Sequence, residues 1–339
     1  MKLIVTGGAG FIGSEFVRQT LGERRDVRIL NVDKITYAGN LENLKPVESN
    51  PHYTFVQADI CDSTTISRLF SEWAPDAVVH FAAESHVDRS ILSPEAAIDT
   101  NIKGTFVLLE AARAARTTRF VHVSTDEVYG SLNPPSEADE AFPLNPSSPY
   151  SASKASSDLL ALSYFRTFGL PVVVTRASNN YGPYQFPEKL IPLMICNALD
   201  GRPLPIYGNG MQVRDWLHVS DHCSGIWSVL EKGRPGEIFN IAGSAAVTNL
   251  DIVHRIMALV GADTSLIQHV TDRPAHDVRY ALTSEKLHRE TGWAPARPFD
   301  AGLRQTVDWY RENQGWVQRT RSGAYKDYYA SNYQGRTQN

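Results

Sequence analysis

Cysteine is scarce in this chain of 339 residues, which contains Cys61, Cys196 and Cys223 and no others. The three lie far apart, without the paired spacing of a zinc site or the dense pattern of a disulfide framework. Isolated thiols of this kind are usually buried or incidental and are typical of proteins in a reducing compartment. We therefore expect no metal site and a cytoplasmic protein.

Long apolar runs and a strong net charge are also missing. No stretch approaches the roughly 20 apolar residues that a membrane-spanning helix needs. The apolar start at residues 3–5 is too short for a signal peptide, because glycines follow almost at once. The formal net charge of −4 gives no general attraction for nucleic acid. We expect neither a membrane nor a nucleic acid as partner, so that any phosphate site must be local.

Short β-branched runs alternate with helical patterns in the first half of the chain. Six runs are typical of buried parallel strands, near residues 3–5, 27–32, 53–56, 77–80, 120–123 and 172–175. The segments between them predict helices near residues 11–22, 63–73, 94–116 and 149–168. This alternation predicts an α/β fold with a Rossmann-like, doubly wound parallel sheet.

The pattern changes beyond about residue 180, where proline and glycine become more frequent. Short strands there mix with predicted helices near residues 187–200, 219–232, 248–260 and 299–313. We interpret residues 1–178 as a Rossmann-like first domain. Residues 179–339 are then mainly a smaller, mixed α/β lobe that binds the substrate, with some chain crossing back to the large domain.

A glycine-rich turn, Gly7-Gly8-Ala9-Gly10-Phe11-Ile12-Gly13, follows the first predicted strand and opens the first predicted helix. Glycine lets the backbone turn tightly and approach a pyrophosphate, whose charge is stabilised by the helix N-terminus. Asp33 ends the second predicted strand, where a carboxylate can accept hydrogen bonds from ribose hydroxyls. Because a carboxylate there would repel a 2′-phosphate, NAD is the predicted cofactor rather than NADP.

Two adjacent carboxylates follow the strand near residues 120–123, in the segment Ser124-Thr125-Asp126-Glu127. Neighbouring carboxylates often do no more than solvate a loop. The end of a buried strand is, however, a common place for catalytic residues, because it is rigid and faces a crevice. An acid and a base side by side could then act on opposite ends of one small substrate.

Tyr150 and Lys154 are four residues apart, so they lie on the same face of the helix predicted near 149–168. A lysine cation beside a phenol favours the phenolate, and we expect it to lower the pKa of the tyrosine. Together with the dinucleotide motif and the acidic pair, these residues predict redox chemistry joined to proton removal. We therefore interpret residues 1–178 as an NAD-binding domain that carries the catalytic residues.

Other candidate residues follow the predicted strands or lie in the second half. Small residues after the fourth strand, in Phe81-Ala82-Ala83, allow close approach of a cofactor, and Asp59-Ile60 follows the third strand. Cationic candidates for a diphosphate, and amides that could orient a base or sugar, are Lys189, Arg214, Arg273, Asn179, Asn180 and Asn249.

With these residues in place, the chain resembles the extended short-chain dehydrogenase/reductase superfamily and its NAD-dependent epimerase/dehydratase family. The superfamily match is the glycine motif together with Tyr150-Ser151-Ala152-Ser153-Lys154. The chain is most similar to the dTDP-glucose 4,6-dehydratase family, because related epimerases generally lack the Asp126-Glu127 pair. Supporting blocks are residues 82–90, 179–185, 187–192 and 272–277, with a departure at Ala275, where the family often has glycine.

The resemblance implies an NAD-dependent lyase that converts dTDP-glucose to its 4-keto-6-deoxy product and water. Tyr150, with its pKa lowered by Lys154 and by the nicotinamide charge, would take the proton of the 4-hydroxyl, and Thr125 would polarise the resulting ketone. Glu127 would remove the proton from carbon 5, and Asp126 would protonate the departing 6-hydroxyl. The resemblance also implies a homodimer that pairs the helices near 94–116 and 149–168 in a four-helix contact.

The same resemblance implies two sets of contacts. The cofactor residues are Gly7, Gly10, Phe11, Ile12, Gly13, Asp33, Lys34, Thr36, Asp59, Ile60, Phe81, Ala82, Ala83, Ser85, Thr100, Tyr150, Lys154 and Asn180. The substrate residues are Ser85, Thr125, Asn179, Lys189, Leu190, Pro205, Ile206, Tyr207, Arg214, Asn249, Arg273 and His276.

Three other functions stay open at this point. A 4,6-dehydratase could act on a UDP- or CDP-linked sugar instead. A nucleotide-sugar 4-epimerase would need NAD, Tyr150 and Lys154, but not the acidic pair. A non-catalytic NAD-binding sensor or scaffold on the same fold predicts loss of these residues, and all of them are present.

Overall fold

The computed structural model describes residues 1–243, 245–274 and 276–322. Ser244, Ala275 and residues 323–339 lie outside the described residues. The departure at Ala275 and the end of the predicted second lobe are therefore not described.

Twelve strands and twelve α-helices make up the described fold. The strands are β1 Lys2–Thr6, β2 Arg28–Asp33, β3 Tyr53–Gln57, β4 Ala77–His80, β5 Arg119–Thr125, β6 Val172–Ala177, β7 Asn179–Tyr181, β8 Leu204–Tyr207, β9 Val213–His218, β10 Ile238–Ile241, β11 Ala246–Thr248 and β12 Ile267–Val270. The helices are α1 Phe11–Glu23, α2 Ser63–Trp73, α3 Val87–Leu92, α4 Pro94–Ile98, α5 Thr105–Ala114, α6 Pro149–Phe168, α7 Leu190–Leu199, α8 Val219–Lys232, α9 Asn249–Val260, α10 Glu285–Thr291, α11 Phe299–Glu312 and α12 Gln314–Thr320.

A seven-stranded parallel sheet in the order β3-β2-β1-β4-β5-β6-β10 forms the centre of the protein. Helices α1 and α8 cover one face of this sheet and α2, α5 and α6 cover the other, so that its strands are apolar on both sides. The predicted doubly wound fold is confirmed. The strand order reverses between β1 and β4, and ligands of such sheets bind at the carboxyl ends of the strands at that point.

The second half of the chain contributes to both parts of the molecule. Strand β10 pairs with β6 in the large sheet, and Trp227 of α8 stacks on Phe16 of α1 with ring centres 5.5 Å apart. A separate core is formed by α7, α9, α11 and α12 with the small sheets β11-β9-β7 and β12-β8. The division at residue 178 stays a prediction.

The sequence predicts one continuous α-helix near residues 94–116, and this prediction is wrong in the middle of the segment. Helices α4 and α5 are separated by a π-helical turn at Asp99–Gly104. Inside this turn Asn101, which is 1% exposed, accepts from the backbone N–H of Glu84 at 2.9 Å and donates to its carbonyl at 3.0 Å. Its side chain also donates to the Ser153 hydroxyl at 2.8 Å. The turn therefore ties the loop after β4 to helix α6, which a periodic pattern cannot reveal.

Among the described residues, none of the helices is both long enough and apolar enough to cross a bilayer.

Candidate active site

A cavity of about 310 Å³ opens at the carboxyl ends of the central strands. All five predicted catalytic residues line it: Thr125, Asp126, Glu127, Tyr150 and Lys154. Every predicted cofactor residue lines it as well, from Gly7 in the glycine turn to Asn180 in β7. The structure thus brings together side chains from the ends of β1, β2, β3, β4 and β5 and from α6.

The predicted substrate residues divide into two groups. Ser85, Thr125, Asn179 and Lys189 line the cavity. The other group does not line it: Leu190, Pro205, Ile206, Tyr207, Arg214, Asn249, Arg273 and His276.

Some members of this second group form a neighbouring polar cluster. Asp88 accepts hydrogen bonds from the Tyr207 hydroxyl at 3.1 Å and from Arg273 at 3.3 Å. His276 Nδ1 lies 2.6 Å from an Asp272 carboxylate oxygen.

The glycine turn packs closely against the loop that follows β4, at the carboxyl ends of the central strands. Gly7 has φ +73°, and a Cβ there would lie 2.5 Å from the backbone nitrogen of Ala82. A Cβ on Gly13 would lie 2.3 Å from the carbonyl oxygen of Gly7. The turn is fixed by Asp33, which accepts hydrogen bonds from the backbone N–H groups of Ala9 at 2.9 Å and Ile35 at 2.8 Å. This cradle fits a dinucleotide pyrophosphate at the N-terminus of α1.

Substitution of Gly13 by Ala tests this close approach. We expect NAD binding to weaken by about 10- to 100-fold, because overpacking a tight contact costs roughly 1–3 kcal/mol. Gly22→Ala on the same helix is the matched control, since no atom lies within 4 Å of its added Cβ. Alanine is favoured over glycine inside helices, so the control should bind NAD normally and melt slightly higher. Calorimetric titration with NAD measures the effect, and equal affinities in the two variants would contradict the cradle.

The acidic pair is held by a short turn at the end of β5. The residues Asp126–Tyr129 form a 3₁₀ turn, and the Thr125 hydroxyl caps it by accepting from the backbone N–H of Glu127 at 3.2 Å. The same hydroxyl donates to Asp126 Oδ1 at 3.2 Å. Asp126 is 3% exposed, and its Oδ2 atom has no hydrogen-bond partner in the described parts of the chain.

The surroundings of the two carboxyl groups differ. Burial raises the pKa of Asp126 well above its ordinary value, and the charge of Glu127 raises it further. Burial also raises the pKa of Glu127, but the cations of Arg273, Lys189 and Arg214 oppose this shift. A protonated Asp126 beside an ionised Glu127 is therefore the favoured state, which suits one acid and one base.

Helix α6 positions the tyrosine and the lysine. Ser148 caps this helix by accepting from the backbone N–H of Ser151 at 3.1 Å. Lys154 is buried, its ammonium group donates to the carbonyl of Val123 at 2.8 Å, and burial lowers its pKa to about 8. The ammonium group is thus anchored to the backbone of β5, the strand at whose end the acidic pair lies.

The predicted lowering of the Tyr150 pKa is not found. Burial raises the pKa of this phenol, and the nearby carboxylates Glu127 and Asp126 raise it further, whereas a hydrogen bond with Thr125 lowers it. The prediction rested on the positive charges of Lys154 and of the nicotinamide. It omitted the desolvation of the phenolate and the two acidic side chains Glu127 and Asp126 nearby.

Sequence reasoning missed several lining residues. These are Val32, Ala38, Gly39, Ala58, Glu84, Val123, Ser124, Ala177, Ser178, Gln185, Phe186, Glu188 and His222. Most are neighbours of predicted residues and could have been found from them. His222 could not, because it lies on α8 and reaches the site through a contact of its Nδ1 with Asn180 Oδ1 at 2.9 Å.

Among the described residues, no group of histidine, cysteine and acidic side chains has an arrangement suited to holding a metal ion.

The chain is similar to known sugar-nucleotide enzymes over nearly its whole length. A family profile described as GDP-mannose 4,6 dehydratase matches residues 4–306. A dTDP-glucose 4,6-dehydratase of Shigella flexneri is 52% identical, over 99% of this chain and all of that protein. The dTDP-glucose 4,6-dehydratase of Neisseria meningitidis serogroup B is 53% identical, over 96% of this chain and 97% of that protein.

Solved structures agree with these matches. A dTDP-glucose 4,6-dehydratase of Streptomyces venezuelae, crystallised with NAD, superimposes with a TM-score of 0.92 at 51% identity, over 94% of this chain and all of that chain. The UDP-glucose 4-epimerase of Thermus thermophilus, in complex with NAD, gives a TM-score of 0.86 at 30% identity, over 92% of this chain and all of that chain.

Proposed function

This chain belongs to the dTDP-glucose 4,6-dehydratase family, and we propose that it converts dTDP-glucose to dTDP-4-keto-6-deoxyglucose and water. The observation that carries the proposal is one cavity lined by the acidic pair Asp126-Glu127, by Tyr150 with Lys154, and by the glycine turn. The glycine cradle and Asp33 favour NAD as the cofactor, with the pyrophosphate at the N-terminus of α1 and Asp33 on the ribose.

NAD bound in this cradle would supply reversible hydride transfer, from carbon 4 of the sugar and back to carbon 6. Tyr150 acts as a phenolate, the form that the positive charges of Lys154 and of bound NAD favour, and removes the proton from the 4-hydroxyl. Thr125 donates a hydrogen bond to the 4-oxygen. The ketone at carbon 4 acidifies the proton on carbon 5, and Glu127 takes that proton. Glu127 returns it to carbon 5 when the hydride is added at carbon 6. Asp126, protonated because it is buried, gives its proton to the 6-hydroxyl, which leaves as water.

Cations near the acidic pair favour a diphosphate-linked substrate. Lys189 donates to the carbonyl of Ser85 at 2.9 Å, and Arg273 pairs with Asp88 at 3.3 Å. In the part of the chain that the structure describes, no carboxylate forms an ion pair with Arg214. A buried guanidinium without a carboxylate is costly unless a ligand supplies the negative charge. Arg214 is therefore the residue best suited to the diphosphate.

Two observations point to alternatives: a substrate other than dTDP-glucose, and epimerisation instead of dehydration. The matching family profile is described by GDP-mannose, so the base and the sugar need a direct test. Two UDP-glucose 4-epimerase structures share the fold at about 30% identity, and one of them is in complex with NAD. The acidic pair favours dehydration, because an epimerase needs no acid and base for loss of water.

A mass-spectrometric assay tests the proposal. The purified chain is incubated with dTDP-glucose, then with GDP-mannose, UDP-glucose and CDP-glucose, each with and without added NAD. We expect loss of one water from dTDP-glucose. Loss of water from another of these substrates alone would reassign the base or the sugar. An unchanged mass with an inverted sugar would identify an epimerase.

We also propose a cytoplasmic homodimer. The three cysteines are free, as is typical of a reducing compartment. Large apolar side chains are exposed on the helices expected to pair, namely Ile98, Phe106, Leu159 and Phe168. A second copy of the chain would cover them. Light scattering tests this, with an expected mass of twice 37.6 kDa.

A further inference from the structure

Residues 277–282 form an extended segment, here called the strap, which connects two parts of the site. On one side the backbone N–H of Val213, at the start of β9, donates to the carbonyl of Val278 at 2.8 Å. On the other side the N–H of Leu132 donates to the carbonyl of Arg279 at 2.9 Å. The strap therefore links β9 to the chain that follows the catalytic turn.

The strap helps to hold Arg214, which is 5% exposed. The guanidinium donates to the carbonyl of Val213 at 2.8 Å and to the carbonyl of Asp277 at 2.9 Å. It also lies over the ring of Tyr280, 4.2 Å from the ring centre. These partners are neutral, so they fix the position of the guanidinium without neutralising its charge.

The side-chain carboxylate of Asp277, unlike its backbone carbonyl, does not bind Arg214. Its Oδ2 atom accepts hydrogen bonds from the hydroxyl of Ser147 at 2.5 Å and from the hydroxyl of Tyr280 at 2.7 Å. Thus one residue offers its neutral carbonyl to Arg214 while two hydroxyl groups hold its charged end. If released, this carboxylate would be a local competitor for the guanidinium, because ion pairs with arginine are strong when buried.

We propose that Ser147 and Tyr280 are positioning residues for the nucleotide sugar, which hold the Asp277 carboxylate away from Arg214. The guanidinium then keeps its charge for the diphosphate of the substrate. This inference rests on the proposed function, since it takes the diphosphate as the anion. Neither residue touches the reacting carbons, so their loss acts on substrate affinity rather than on the chemical step.

The test uses variants that remove the two hydroxyl groups and then the competing charge. In Ser147→Ala/Tyr280→Phe the carboxylate is free to pair with Arg214, while the aromatic ring stays. We expect the dissociation constant of dTDP and the KM for dTDP-glucose to rise about tenfold, or about 1.4 kcal/mol, with little change in kcat. Adding Asp277→Asn should restore most of the affinity, because an amide cannot neutralise the guanidinium. The two single variants should show smaller effects.

Calorimetry with dTDP, kinetics with dTDP-glucose and thermal melting separate the possible outcomes. A triple variant that binds dTDP as weakly as the double variant, or more weakly, overturns the inference and indicates a merely structural role. Unchanged affinity in the double variant overturns it as well. If the wild-type chain binds dTDP but does not dehydrate dTDP-glucose, the proposed function fails, and the comparison of dTDP affinities still decides the inference.

Discussion

Substitution of Tyr150 by Phe is expected to lower kcat by about 10³-fold, because it removes the base for the 4-hydroxyl, and positioned bases contribute roughly 10²- to 10⁴-fold. The variant should still bind NAD, since the ring remains in the wall of the cavity. Stopped-flow absorbance of the reduced nicotinamide, recorded on mixing with dTDP-glucose, measures the oxidation step directly. We expect the signal to form far more slowly than in the wild type.

The matched control for this substitution is Tyr164→Phe. Tyr164 is a buried tyrosine of the same helix, and its hydroxyl donates to Glu110 at 2.7 Å, away from the residues that line the cavity. Its loss should leave turnover close to that of the wild type. Undiminished oxidation in Tyr150→Phe would contradict the assignment of Tyr150 as the base.

Substitution of Glu127 by Gln is expected to lower kcat by about 10²- to 10⁴-fold, because an amide cannot take the proton from carbon 5. Oxidation at carbon 4 should still occur, so the reduced nicotinamide should accumulate instead of being consumed. The pH profile of the wild type tests the same assignment. Since the pKa of Glu127 is raised, activity should fall with decreasing pH already above the ordinary value of 4.5.

Glu72→Gln serves as the control for Glu127→Gln. Glu72 is an exposed carboxylate on α2 that pairs with Arg68 at 3.1 Å, and its neutralisation should leave turnover unchanged. Dehydration at the wild-type rate in Glu127→Gln would refute the assignment of Glu127 as the base.

Local features of the sequence predicted much of the fold. The six strands of the first half were predictable, because apolar runs in a sheet covered on both faces leave a clear signal. The glycine turn was predictable because its geometry depends on a few adjacent residues. Some chain was expected to cross back to the large domain, but which strand does so could not be predicted, since the entry of β10 depends on pairing with β6, far earlier in the chain.

The electrostatic character of the site could not be predicted from the same residues. The sequence shows that Asp126 and Glu127 are neighbours, but it does not show which of the two carboxyl groups is protonated. That depends on burial and on cations such as Arg214 and Arg273, which the fold brings in from distant parts of the chain. The direction of the Tyr150 pKa shift was wrong for the same reason. The π-helical turn around Asn101 depends likewise on its contacts with Glu84 and Ser153.

The central claim is that one site oxidises the sugar, removes water and returns the same hydride. It is tested most directly with dTDP-glucose that carries deuterium at carbon 4, with the product analysed by NMR. The account predicts a dehydrated product with deuterium on carbon 6, because the hydride leaves carbon 4 and returns two carbons away within one active site. Deuterium that stays on carbon 4, or that is lost to the solvent, would contradict it.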